Sequence, residues 1–132
     1  MKPTVPLIVS SLLSVVLGML HLVDDALYLK AGMPPRGFFI VVLILLVWLC
    51  GTLPLAGRRS GYAITLVGGL FGVGVAAIHV TGPSGVTGGQ LVQSSGPYFF
   101  IFTLLAFAVT SGFSFILSVL GLWSLRRGRP NR

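Results

Sequence analysis

Apolar residues along this chain fall into four long runs, at about 7–29, 38–56, 61–80 and 98–125, separated by polar or glycine- and proline-rich breaks. A membrane-spanning helix needs about 20 mostly apolar residues, so each run predicts one transmembrane helix. The expected fold class is an all-α integral membrane protein, a four-transmembrane-helix bundle forming a single membrane domain over residues 1–132. The first run follows Met1 and Lys2 as a signal peptide's would. It is long for an h-region and has no A-x-A-like site after it, so a retained helix is expected.

Polar positions inside the runs recur at helical spacing. In the first run Ser11, Ser14, Gly18, His21, Asp25 and Tyr28 lie three or four residues apart and share one face, with Asp24 beside them. The third run carries Gly61, Thr65, Gly68, Gly72, Ala76 and His79 in the same way, and Gly69 and Gly74 add to its glycine load. The fourth carries Thr103, Thr110, Ser111, Ser114, Ser118 and Gly121. Burying leucine against leucine gains little over lipid, so membrane helices meet through small and hydroxyl residues. The expected packing set is Ser11, Ser14, Gly18, Gly68, Gly72, Ala76, Ser111, Ser114 and Ser118, used within the chain ahead of a homodimer seam. The second run is apolar all round and is expected to be the most lipid-exposed. Pro54 either kinks it or marks its fraying end.

The breaks set the connectivity. Gly32, Pro34, Pro35 and Gly37 end the first helix and turn the chain. Residues 57–60, Gly-Arg-Arg-Ser, predict a tight connection that makes the second and third helices antiparallel neighbours. Residues 81–97 form a longer loop with no charge, and residues 126–132 a basic tail.

Composition sharpens this picture. The chain is 55% apolar and 8% charged, with a mean hydropathy of +0.99. A soluble domain carries roughly a quarter charged residues, so the bilayer must be the solvent. The net charge of +7 does not predict nucleic acid as a partner, because the basic residues sit at the ends of apolar runs and not on an aromatic or amphipathic platform. They read as topology signals. One side of the bundle takes Lys2, Arg58, Arg59, Arg126, Arg127, Arg129 and Arg132, and the other takes only Lys30 and Arg36. The positive-inside rule then predicts both termini in the cytoplasm, in an inner or plasma membrane. Trp123 fits an inner interfacial anchor, and Tyr98, Phe99 and Phe100 an outer belt. Cys50 is the only cysteine and is expected to be a small buried hydrophobe.

Candidate chemistry concentrates at the polar end of the first run. Residues 21–28 hold both acidic residues of the protein and one of its two histidines. At 1.5 Å per residue, His21 and Asp25 lie roughly 22 and 28 Å along the first helix, and His79 roughly 27 Å along the third. If the two small-residue stripes face each other, His79 comes opposite Asp25. The expected site is an outward-opening pocket of His21, Asp24, Asp25, Tyr28 and His79, covered by residues 81–97. Asp25 would be the central charge, His21 and His79 its proton partners or co-ligands, and Tyr28 a hydrogen-bond donor. Carboxylates approaching a helix C-terminus are unfavourable. Water, Lys30, Arg36, a histidine or a bound cation must offset them.

Three functional classes follow. The first is a structural or accessory membrane subunit, whose aspartates are solvated at the interface and whose small-residue faces dock on a second copy or a larger complex; no cofactor is expected. The second is a proton- or cation-coupled small-molecule transporter. The third is a metal-dependent enzyme at the outer leaflet, with Zn, Mn or Fe held by His21, Asp25 and His79. A bis-histidine haem is disfavoured by a depth offset of roughly 5 Å. No serine forms a recognisable nucleophile motif with a histidine and an acid.

Overall fold

Prolines set several helix ends. The computed structural model describes residues 4–28, 34–82 and 96–127, and these form four helices: α1 (Thr4–Tyr28), α2 (Pro35–Thr52), α3 (Arg59–Thr81) and α4 (Pro97–Arg126). All four are long and apolar enough to cross a membrane, and the described residues contain no strand. Pro35 and Pro97 stand in the first turns of α2 and α4, where a missing N–H costs nothing. α2 therefore starts earlier than the apolar run alone predicts.

Pro54 ends α2 and does not kink it. It has no N–H to offer the Cys50 carbonyl, which accepts from Leu55 N at 3.2 Å instead. The helix closes at Thr52, and the chain turns through residues 53–58, with Gly57 at φ 76°. The connection between α2 and α3 is thus longer than the four residues expected at 57–60, and α3 begins at Arg59.

The helices pack in a ring, α1 on α4 and α2, and α3 on α4 and α2, with α1 and α3 touching little across the diagonal. The small and hydroxyl parts of the α1 and α3 stripes therefore do not face each other, although His79 does come opposite Asp25 at the helix ends. Leu22, Leu45, Trp48 and Phe107 fill the centre and hold the two apart. The α1 stripe turns to α2 and α4 instead. Trp48 Nε1 donates to Ser11 Oγ at 2.6 Å, and Ser11 Oγ lies 2.8 Å from Thr52 Oγ1. Ser14 donates to Thr110 Oγ1 at 2.9 Å, and Ser114 to Ser10 Oγ at 3.1 Å. Gly18 leaves room for Phe107 and Leu45.

The α3 stripe likewise meets α2 and α4. The Trp48 ring lies over Gly68, and Ser111 beside Gly72. Thr65 Oγ1 lies 2.8 Å from Ser118 Oγ, and Ala76 packs with Phe100 and Leu104. Gly69 lets the backbones of α3 and α4 approach: a Cβ there would stand 2.8 Å from Phe115 N and Ser111 O, both backbone atoms of α4. Every member of the expected packing set is therefore engaged from within the chain.

α2 is less uniform than its sequence suggests. Phe39, Ile40 and Leu43 face outward, whereas Leu45 and Trp48 are buried. Cys50 is exposed and not buried as expected, because it falls two residues beyond Trp48, on the opposite side of the helix.

Candidate functional site

α1 and α3 both end, and α2 and α4 both begin, at the end of the bundle that carries the acidic residues. There the small-residue stripes give way to ionisable groups. His21 and Asp25 share a face of α1 as an i, i+4 pair, and His79 lies in the last turn of α3. Across the diagonal, His79 Nε2 lies 3.0 Å from Asp25 Oδ2, and His21 Nε2 lies 3.8 Å from the same oxygen. One ligand atom from each of the three residues falls within 4.8 Å of the others. The depth count along α1 and α3 puts Asp25 and His79 at nearly the same level.

Burial distinguishes this cluster from a solvated interface. His21, Asp24 and Asp25 are 3%, 5% and 6% exposed, so the aspartates do not simply reach outward into water. Asp24 is not among the three residues whose donor atoms converge. Tyr28 lies in the final turn of α1, and its side chain falls outside the described residues, as do Lys30 and residues 83–95 of the expected covering loop. Arg36, at the start of α2, is exposed.

The hydrogen bonds constrain the protons. His79 Nδ1 lies 2.8 Å from Val75 O. A carbonyl only accepts, so Nδ1 carries the hydrogen and donates. A neutral His79 then presents a bare Nε2 lone pair to Asp25, and two lone pairs cannot bond at 3.0 Å. A positive centre must lie between them: a proton on the ring or the carboxyl, or a metal ion. His21 adds an unmet demand, since neither Nδ1 nor Nε2 has a hydrogen-bond partner among the described residues. Buried polar atoms rarely stay unpaired in native proteins.

The walls are apolar. Leu45, Phe71, Val75 and Phe107 help to line a cavity of about 100 Å³ next to the cluster, and among the described residues no polar side chain beyond the cluster's own lines it. A water takes roughly 30 Å³ of liquid volume, so the cavity has room for a few.

Phe100 is the site residue that sequence reasoning assigned elsewhere. Its ring lies 5.1 Å from the His21 ring and 6.4 Å from the His79 ring, and the two imidazoles meet edge to face at 4.6 Å. Phe100 is 1% exposed, whereas Tyr98 and Phe99 point outward as an interfacial belt would. The signal was present: Phe100, Thr103, Phe107, Ser111, Ser114 and Ser118 continue one helical face at steps of three and four.

The chain matches no family model, no curated protein and no solved structure.

Proposed function

We propose that His21, Asp25 and His79 hold a divalent transition-metal ion between α1 and α3, in a membrane protein of structural or accessory role. The observation that carries this reading is His21, buried with no hydrogen-bond partner for either ring nitrogen among the described residues and aimed at a carboxylate that His79 already touches. Two imidazoles and one carboxylate form a donor set suited to Zn, Mn or Fe. The Val75 carbonyl on His79 Nδ1 is the outer partner that ligating histidines usually have, fixing the ring so that Nε2 faces the ion. The ion would tie together two helices that otherwise meet little. Among the described residues the cavity beside the cluster has apolar walls, which supports this structural role over an enzyme at the outer leaflet, where further polar groups would be needed around the open coordination position.

Elemental analysis of the protein purified in mild detergent tests this. Stoichiometric Zn, Mn or Fe is expected in the wild type, with strong loss in Asp25→Asn and His21→Ala proteins of unchanged helix content. A wild type that stays metal-free after incubation with each ion would refute the proposal.

A second reading has its own support in the 3.0 Å His79–Asp25 contact, which a shared proton satisfies as it stands. A carboxylate and two histidines at membrane depth suit proton- or cation-coupled transport. A metal-free wild type whose proton release on cation addition disappears in Asp25→Asn would favour it. In both readings the basic end of the bundle faces the cytoplasm and the cluster lies on the outer side, as the lysine and arginine distribution supports.

A further inference from the structure

At the other end of the bundle, three arginines surround the mouth of an apolar trench. Arg59 at the start of α3 and Arg126 and Arg127 at the end of α4 border a groove of about 650 Å³, whose walls include Leu66 and Leu122. Arg59 and Leu66 are seven residues apart, so the trench runs roughly 10 Å inward along the helices. Arg127 is stacked on Trp123, its guanidinium carbon 4.7 Å from the ring centroid.

These cations have no carboxylate side chain to meet. The chain's only acidic residues are Asp24 and Asp25, at the opposite end, and among the described residues no arginine forms an ion pair. Guanidinium groups bind phosphate through paired N–H donors, and Arg is preferred wherever an anion of that shape is recognised. A free anion would use the arginines and leave the trench empty. A phospholipid uses both, with its phosphate at the arginines and an acyl chain along the leucines. Basic pockets between transmembrane helices are where acidic headgroups bind.

We propose that the α3–α4 groove at the basic end is a binding site for an anionic phospholipid, held by Arg59, Arg126 and Arg127 with its acyl chain in the trench. This rests on the reading of the bundle as membrane-spanning, and is independent of the His/Asp cluster.

Trp123 supplies the readout. The full chain is reconstituted in phosphatidylcholine nanodiscs containing a minor fraction of acyl-brominated phosphatidylglycerol or, in parallel, acyl-brominated phosphatidylcholine. The quenching that disappears in Trp123→Phe is the part assigned to Trp123. Anionic lipid is expected to be enriched at Trp123 by on the order of fivefold per engaged arginine. The preference should fall in Arg59→Gln, which lies on the opposite wall from the reporter, and vanish in the triple Arg→Gln protein. Arg59→Lys should retain part of it. Added inorganic phosphate should not displace the brominated lipid. Equal quenching by the two lipids, a preference unchanged in Arg59→Gln, or displacement by phosphate would each overturn the proposal. Failure to enter nanodiscs at all would instead refute the membrane reading beneath it.

Discussion

At the scale of single residues, what decides a contribution is whether removing a group strands its partner. Ser11 and Ser114 are both fully buried serines on interhelical hydrogen bonds, and composition treats them alike. Ser114 donates to Ser10, so its loss leaves no donor behind. Ser11 accepts from Trp48 Nε1, an indole N–H that is itself buried. Interhelical hydrogen bonds in membrane proteins average about 0.6 kcal/mol, whereas an orphaned buried donor costs about 1–3 kcal/mol. Ser114→Ala is therefore expected to cost about 0.6 kcal/mol and Ser11→Ala clearly more, about 1–2 kcal/mol, read from reversible denaturation in detergent micelles. Equal losses would show that Trp48 finds another acceptor. The Ser11 face was legible from spacing alone. Trp48 was not, because a helix that is apolar all round gives no phase for its one indole, and only the neighbouring serine shows which side turns inward.

At the scale of helices, the four apolar runs were legible because length and hydropathy are local properties. The ends of α2 were not, since Pro35 and Pro54 act through single hydrogen bonds that a hydropathy average does not register. Close packing shows the same division. Gly69 and Gly74 read identically in sequence, as extra glycines on one helix. Against α4, Gly69 is in backbone contact range, whereas a Cβ at Gly74 would meet nothing within 4 Å. Backbone cannot rotate away as a side chain can, so Gly69→Ala must push α3 and α4 apart, at a cost of about 1–3 kcal/mol. Gly74→Ala only improves helix propensity and should be neutral or stabilise by up to about 1 kcal/mol. Melting temperatures of the two variants in one detergent should thus move in opposite directions or differ widely. A Gly69→Ala protein as stable as Gly74→Ala would mean that α3 and α4 do not approach this closely.

At the scale of the molecule, helix periodicity states which face is polar but not which neighbour that face meets. For that reason His21, Asp25 and His79 were legible as a set at one depth, while the diagonal placing of α1 and α3 was not. The charge distribution adds an axis to the bundle. Arg58, Arg59, Arg126 and Arg127 gather where α1 and α3 begin, and His21, Asp25 and His79 where they end. Positively charged flanks are retained on the cytoplasmic side during insertion, so the cluster should reach the outer side and draw its cation or proton from there. Cysteine accessibility in a Cys50→Ser background tests this directly. Ser60→Cys, beside the arginines, should react with a membrane-impermeant maleimide only in inside-out vesicles, and Gly96→Cys, at the start of α4, only in right-side-out ones. The opposite pattern would turn the cluster to the cytoplasm and remove the outward-facing site. Labelling of both positions from both sides would mean that the chain inserts in two orientations, which a seven-to-two excess of basic residues on one side should prevent.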